Sequence, residues 1–305
     1  MSNTAMTILV SGGAGLIGRR LMAHLESLGH EVRGLSRRAS APGFFQWDPQ
    51  AGKIDPQSLE NVDGVIHLAG ENIASGRWTA SRRRRILESR VLGARCLVKA
   101  MRELANPPRI LVSASGVNIY QPGPGLRDES SPPGTGFMAD VCRRWESEVR
   151  QAETFGCRTV CLRTAAVLDP SGGALAKMLP AFRLGLGGRV GPGSQGFPWI
   201  SMDDLLDIYV RAISDESLSG PVNAVHPHRV TQMEFARSLA MVLGKPCCVP
   251  LPSWAVRILL GQLGREVLLA DLNVEPAILT RRGHSFRHKA LVEALNGMLQ
   301  RVQSG

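Results

Sequence analysis

The fold of this chain is decided by residues 7–18, which read TILVSGGAGLIG. The apolar start of this stretch predicts a short buried strand, and the pattern from Leu16 to Leu28 predicts a helix. Between strand and helix, we expect Gly12 to permit a tight turn and Gly15 to let a ligand approach the backbone. Gly18 would let the helix pack closely against the strand. This order of elements is typical of a dinucleotide-binding βαβ unit.

The alternation of strands and helices continues through the first half of the chain. Continuous apolar strands separated by helices predict a parallel sheet covered on both faces, a doubly wound Rossmann-type α/β fold. The regularity ends after Leu168, so we expect a Rossmann domain over residues 1–168 and a smaller, mainly helical substrate or lid region over 169–305. The further strands are expected at Glu31–Ser36, Val62–Ala69, Ile110–Ser113 and Thr159–Leu168, and the clearest helices at Arg82–Leu104 and Ala139–Phe155.

Composition excludes several classes of protein. Of the 305 residues, 44% are hydrophobic and 20% charged, which excludes a disordered chain. No apolar run is long enough to span a membrane, so we expect no membrane partner. The net charge of +10 is compatible with a phosphorylated ligand, but two tyrosines make nucleic-acid stacking unlikely. Six cysteines in no disulfide or metal-binding pattern predict reduced thiols, a cytoplasmic protein and no metal site.

The end of the second strand predicts which dinucleotide binds. Glu31 lies at the spacing usual for an acid that binds the ribose, but it opens the strand, whereas the contact must come from the other end. That end carries Ser36, Arg37 and Arg38, whose hydroxyl and guanidinium groups suit a 2′-phosphate. We therefore predict NADP rather than NAD, with the pyrophosphate on the helix that begins at Leu16 and Ile17.

Arg90 interrupts an apolar stripe of the helix that follows Arg82. The neighbouring positions of this stripe are Leu87, Ala94, Leu97 and Met101. An arginine there either meets a phosphate or another anion, or lays its stem along the core while its head reaches water. The run Arg82–Arg85 spreads around the helix start, so we expect most of it to face solvent.

Several further motifs accompany the glycine loop along the chain. They are His67–Ile73, Glu88–Arg90, Ser113–Val117 before Tyr120, Phe182–Gly188, Trp199–Ile200 with Asp203–Leu205, and Ser219–Ala224. Together these motifs resemble the extended, sugar-nucleotide-epimerase-like form of the short-chain dehydrogenase/reductase superfamily, and within it the atypical epimerase-family proteins with a characteristic C-terminal segment.

The resemblance implies NADP(H) binding and a C-terminal lid over a substrate pocket. The family commonly has arginine where related enzymes have asparagine on this helix, which favours a functional Arg90, and it often has histidine where this chain has Ser201. In the lid, Lys177, Arg183, Arg189 and Gln195 would contact an anionic substrate or stay solvated. The further cofactor-binding residues that we assign are Leu68, Ala69, Gly70, Glu71 and Val167.

The catalytic pattern of the superfamily is incomplete in this chain. Active members use a serine, and a tyrosine four residues before a lysine, but no Tyr-x-x-x-Lys occurs here. The resemblance places Met138 at the tyrosine position and Cys142 at the lysine position, and Ser115 keeps the serine role. We name Ser115, Tyr120 and Cys142 as candidate catalytic residues. Cys142 would need a lowered pKa, which Arg143 and Arg144 could supply. The alternative role of Cys142 is that of a small buried side chain. The alternative role of Tyr120 is to anchor its loop.

Two functions follow from these expectations. The first is an NADP-dependent oxidoreductase or epimerase-like enzyme that acts on a small carbonyl or sugar-like substrate. The second is an NADP(H)-sensing regulatory protein without turnover, with a link to division control. A nucleic-acid binder is a distant third.

Overall fold

A computed structural model describes residues 5–37 and 42–303 of the chain, with side chains to residue 300. The strands are β1 Thr7–Ser11, β2 Glu31–Ser36, β3 Phe44–Asp48, β4 Lys53–Ile54, β5 Gly64–His67, β6 Ile110–Gly116, β7 Gly123–Arg127, β8 Arg158–Thr164, β9 Ala166–Asp169, β10 Trp199–Ser201, β11 Gly220–Ala224 and β12 Leu272–Val274. The helices are α1 Leu16–Ser27, α2 Ala80–Arg102, α3 Phe137–Arg150, α4 Gly173–Arg183, α5 Met202–Ser214, α6 Gln232–Val242, α7 Ser253–Leu260, α8 Ala277–Arg281 and α9 Leu291–Gln303.

An eight-stranded sheet forms the centre of the molecule, in the order β11-β8-β6-β5-β1-β2-β3-β4. All its strands are parallel except β4, which pairs antiparallel with β3. Along β1, Ile8 and Val10 enter one hydrophobic core and Leu9 enters the other, because successive side chains of a strand point to opposite faces. Helices α1 and α5 pack together on the first face, and α2 and α3 on the second. The predicted doubly wound Rossmann-type fold is therefore confirmed.

The strand expected at Thr159–Leu168 is two strands, so this part of the prediction is wrong. β8 ends at Thr164 in the large sheet, and β9 leaves that sheet to pair with β10. The amide of Ala165 donates to Ala224, but that of Ala166 donates to Pro198, so the change of partner falls between two adjacent residues. An apolar run carries no sign of where a strand exchanges its neighbour.

The large sheet takes strands from both sides of the boundary expected at residue 168. Its edge strand β11 comes from residues 220–224, and α5, which follows β10, covers part of the same sheet. A third hydrophobic core joins α4, α6 and α9. The chain after β11 is mainly helical, and β12 pairs with β7 in a small separate sheet.

Candidate active site at the carboxyl edge of the sheet

The glycine loop joins the end of β1 to the start of α1 in a close-packed turn. Gly12 has a φ of +75°, and a Cβ there would stand 2.8 Å from the amide nitrogen of Ala69. A Cβ on Gly18 would meet the carbonyl oxygen of Gly12 at 2.2 Å, so only glycine lets the helix lie this close to the turn. Gly15 is the N-cap of α1 and provides no side-chain cap. The first amides of α1, beginning at Leu16 and Ile17, therefore suit an anion.

The end of β2 lies beside this loop. Ser11 of β1 pairs with Leu35, which brings Ser36 next to the glycine turn, and the exposed Arg37 follows. Glu31 pairs with Thr7 at the opposite end of the strands and forms an ion pair with Arg33. Ser36 and Arg37 thus lie at the same edge as the glycine turn, and Glu31 lies at the far end of the strand. Arg38 lies outside the described residues.

Arg90 braces the loop Leu68–Glu71 that follows β5. A guanidinium nitrogen of Arg90 donates to the carbonyl oxygens of Glu71 and Ile86, each at 3.1 Å. A Cβ on Gly70 would stand 3.0 Å from the guanidinium carbon of Arg90. Leu68 and Ala69 lie against Gly12, so this loop and the glycine turn share one edge of the sheet. Arg90 is half-buried, and its guanidinium reaches the loop at the carboxyl edge of the sheet.

The arginine run at the start of α2 is less uniform than expected. Arg84 is 78% exposed and pairs with Glu88, in line with a solvated surface. The side chain of Arg82, however, is 13% exposed and donates to the carbonyl oxygen of Asn72 at 2.6 Å. Arg83 is also partly buried, whereas Arg85 is exposed, so half of the run faces solvent rather than most of it, because the loop after β5 and Gln262 cover the helix start.

Val167 approaches the glycine loop from another side. It is the second residue of β9, and α4 begins shortly after that strand. A Cβ on Gly172 would stand 2.8 Å from a methyl group of Leu16, and one on Gly173 would stand 3.7 Å from the carbonyl oxygen of Val167. The start of α4 thus lies against Leu16 at the start of α1, and Val167 lies beside Gly173.

Ser115 belongs to a buried polar network that the sequence analysis did not foresee. Its hydroxyl donates to Oε1 of Glu146 at 2.7 Å, and the Glu146 carboxylate accepts two hydrogen bonds from Arg163, at 3.0 and 2.9 Å. The third guanidinium nitrogen of Arg163 donates to the Tyr120 hydroxyl at 2.9 Å. That hydroxyl donates to Asn223 at 2.7 Å. In the sequence, the one signal of this network was Arg163, a charged residue within the apolar run of β8.

Tyr120 lies inside the core rather than in a cleft. It is 1% exposed, both hydrogen-bonding functions of its hydroxyl are used within the protein, and burial raises its pKa. The structure favours the anchoring role over the expectation that Tyr120 assists chemistry, because a substrate would have to displace Arg163 or Asn223 from the hydroxyl.

Cys142 is buried beside Ser115 and Gly116. A Cβ on Gly116 would stand 3.6 Å from its sulfur, and burial together with the nearby Glu146 carboxylate raises the pKa of Cys142 to about 11. The expectation that Arg143 and Arg144 lower this pKa is wrong: both are exposed and pair with Asp140 on the outer face of α3. The thiol is therefore protonated at neutral pH.

The N-terminus of α3, where Met138 replaces the usual tyrosine, is capped from the C-terminal region. The Glu266 carboxylate accepts hydrogen bonds from the amides of Phe137 and Met138, at 3.3 and 2.9 Å, and from the Gln262 side chain at 2.6 Å. Gln262 in turn accepts a hydrogen bond from Arg83. Sequence reasoning missed Glu266 because its partners lie almost 130 residues away.

The polar lid residues separate into three groups. Lys177 donates to the carbonyl oxygen of Ala74 at 2.9 Å and so connects α4 to the loop after β5. Arg183 and Arg189 are exposed, and Gln195 is buried with its amide donating to Val190 and Leu268. Ser201 caps α5 through the amide of Asp204, so it has a structural role of its own.

Comparison with known proteins places this geometry in a family. Residues 8–224 match the NAD dependent epimerase/dehydratase family, and residues 251–297 match a domain of unknown function (DUF1731). The chain belongs to the NAD dependent epimerase/dehydratase family, as an atypical short-chain dehydrogenase/reductase. The predicted family resemblance is confirmed.

Relatives match over nearly the whole chain. Epimerase family protein Mb2239 of Mycobacterium bovis is 38% identical over 290 residues, which cover 94% of this chain and 96% of that protein. Human epimerase family protein SDR39U1 is 36% identical over 95% of this chain and 98% of its own length. A crystal structure of human SDR39U1 (isoform 2) with NADPH superimposes with a TM-score of 0.89 at 34% identity, over 97% of this chain and 99% of that one.

Proposed function

We propose that this chain binds NADP(H) at the carboxyl edge of the sheet and is an NADP-dependent oxidoreductase or epimerase-like enzyme for a small carbonyl or sugar-like substrate. The observation that carries the proposal is the convergence of three features at one edge. These are the uncapped start of α1, the end of β2 with Ser36 and Arg37, and the loop Leu68–Glu71 braced by Arg90. The NADPH in the human SDR39U1 structure supports the choice of cofactor.

The residues at this edge fit a dinucleotide. Gly12 and Gly18 let the turn pack tightly against residues 68–69 and against α1, and the open amides at the start of α1 then suit a pyrophosphate at this edge. Arg37 would hold a 2′-phosphate by charge-assisted hydrogen bonds. When bound, such a cofactor supplies a nicotinamide ring that accepts or donates hydride.

Ser115 would orient the substrate. Because its proton is committed to Glu146, the Ser115 oxygen keeps only the capacity to accept a hydrogen bond. It therefore suits a substrate hydroxyl, as a carbinol or sugar presents, better than a carbonyl that needs a donor. The protonated Cys142 thiol is no nucleophile at neutral pH, and it provides instead a weak donor beside Ser115.

The cofactor is tested by titrating the protein with NADPH and with NADH, followed by fluorescence or calorimetry. We expect tighter binding of NADPH, and Arg37→Ala should reduce the preference roughly tenfold, as loss of a charge-assisted hydrogen bond predicts. Arg33→Ala is the control, since Arg33 lies in β2 shortly before Arg37 but pairs with Glu31. An unchanged preference in Arg37→Ala would refute the residue assignment, and failure of both nucleotides to bind would refute the cofactor.

Turnover is tested with the same protein once it binds NADPH. A panel of carbonyl compounds and sugar nucleotides is monitored for loss of NADPH absorbance and for product isomers by chromatography. We expect a substrate with hydroxyl groups next to the reacting carbon, and loss of turnover in Ser115→Ala with NADPH affinity retained. Binding of NADPH without turnover on any member of the panel would count against an enzyme. The four buried, unpaired cysteines are compatible with the cytoplasmic location that we propose.

A further inference from the structure

Helix α7 presents large apolar side chains to solvent. Trp254 is 66% exposed, Ile258 62% and Leu259 61%. With Arg257 between them, these residues are called here the α7 surface. Scattered exposed apolar residues are normal, but several on two turns of one helix mark an interaction site.

The exposure of the α7 surface follows from how the helix is anchored. Only Val256 of α7 is fully buried, and it packs against Gly264 in the turn that follows. The segment before α7, residues 247–251, pairs through its backbone with residues 187–190. These paired segments, together with the residues just before Gly187, carry further exposed apolar side chains, namely Leu184, Leu186, Val249 and Leu251.

This part of the chain is basic and lacks acids. No Asp or Glu occurs between Asp169 and Asp203 or between Glu234 and Glu266. The exposed cations in these two stretches include Arg183, Arg189, Lys245, Arg257 and Arg265. A second copy of the chain docked on the α7 surface would oppose like charges, which disfavours self-association. The complementary partner is anionic and offers an apolar layer.

We propose that the α7 surface docks on an anionic lipid membrane. Trp254, Ile258 and Leu259 would enter the boundary between headgroups and acyl chains, where an amphipathic helix buries its apolar face. Arg257 would keep its head among the lipid phosphates while its stem lies along apolar surface. An acidic protein would satisfy the cations but gives no comparable reason for a tryptophan and two branched aliphatic side chains that are about two-thirds exposed.

The proposed docking differs from crossing a membrane. Within the described parts of the chain, no helix is long and apolar enough to span a bilayer, and surface docking needs none. The expectation of no membrane partner rested on the missing span, so it does not bear on this surface. The inference goes beyond the proposed function and does not depend on it.

Docking would place the candidate site close to the lipid. The chain leaves α7 at Gly261 and continues into Gln262 and Glu266, which contact Arg83 and the start of α3. The membrane-facing helix is thus joined directly to residues at the edge of the site.

The test is flotation of the full chain with vesicles of mixed phosphatidylglycerol and phosphatidylcholine, against vesicles of phosphatidylcholine alone. We expect binding to the anionic vesicles that weakens as salt rises. Trp254→Ser, and the pair Ile258→Ser with Leu259→Ser, should each weaken it roughly tenfold. Met241→Ser on α6 is the matched control, because Met241 is 63% exposed but lies outside the α7 surface. An unchanged melting temperature would show that the variants fold.

Three results would overturn the proposal. The first is no binding to anionic vesicles. The second is binding that weakens in Arg257→Gln but not in Trp254→Ser, which indicates attraction to any polyanion, an acidic protein included. The third is a dimer in analytical ultracentrifugation that Trp254→Ser dissociates, which would assign the surface to a second copy.

Discussion

The guanidinium carbon of Arg90 lies 5.3 Å from the centre of the Trp145 ring, and this contact joins α2 to α3 behind the loop Leu68–Glu71. The same guanidinium donates to the carbonyl oxygen of Glu71. Among the described residues, no carboxylate lies at hydrogen-bond distance from Arg90, and its charge is offset by carbonyl oxygens, an aromatic face and the more distant Glu71 carboxylate. Such an arrangement leaves a cation able to attract a phosphate or another anion at the edge of the sheet.

Replacement of Arg90 separates a cofactor role from a structural one. Arg90→Met keeps most of the packing volume against Trp145 and removes the charge, so we expect roughly tenfold weaker NADPH binding. The melting temperature without cofactor should change little. Arg84→Met is the matched control on the same helix, since Arg84 is 78% exposed. Unchanged NADPH affinity with a shifted melting temperature would assign Arg90 to structure alone.

The buried ion pair of Glu146 and Arg163 should be costly to break from one side. Glu146→Gln leaves the Arg163 charge without a counter-charge, and we expect a loss of about 3–5 kcal/mol in the free energy of unfolding. The double variant Glu146→Leu with Arg163→Met removes both charges and should lose less. Urea denaturation measures both, and Glu88→Gln, in an exposed pair with Arg84, should cost under about 1 kcal/mol. A double variant less stable than Glu146→Gln would contradict this account.

His67 predicts how stability depends on pH. Burial lowers the pKa of His67 from 6.5 to about 4, so the folded protein keeps this ring neutral while the unfolded chain protonates it. The contribution of the neutral His67 ring to the free energy of unfolding is present above pH 6.5 and is lost as the pH falls towards 4. The expected loss is about 3 kcal/mol across that window.

The measurement compares urea denaturation of the wild type and His67→Gln at several pH values in that window. The stability of the variant should fall less steeply on acidification, because glutamine does not titrate. If the free energy of unfolding falls in parallel with pH for the two proteins, then His67 does not govern the loss of stability in acid.

The thiols should differ strongly in reactivity. Cys142 is buried with a pKa of about 11, whereas Cys248 is exposed. At neutral pH, iodoacetamide should modify Cys248 in the native protein and reach Cys142 only in denaturant. Peptide mass spectrometry identifies the sites, and Cys248→Ser provides the control. Rapid native labelling of Cys142 would refute the view that its thiol is buried and protonated.

Local patterns predicted much of the fold and of the edge that carries the site. The glycine spacing at 12, 15 and 18 and the order of strands and helices depend on backbone sterics and on alternating burial, which neighbouring residues encode. The position of Ser36 and Arg37 followed from strand direction alone, because parallel strands end at one edge. Arg90 was found for a similar reason, since a charge on an apolar helical stripe is visible in the sequence.

The interior of the site was decided by tertiary structure. Whether Tyr120 anchors or reacts depends on Arg163 and Asn223, which come from different strands, and the pKa of Cys142 depends on burial rather than on the arginines next to it in the chain. Glu266 reaches the start of α3 only because the C-terminal region folds back over the sheet. The sequence by itself determined which elements form and which edge they share. Contacts between residues far apart in the chain determined the charge, protonation and hydrogen-bonding capacity of each group there, because desolvation depends on the surrounding three-dimensional packing.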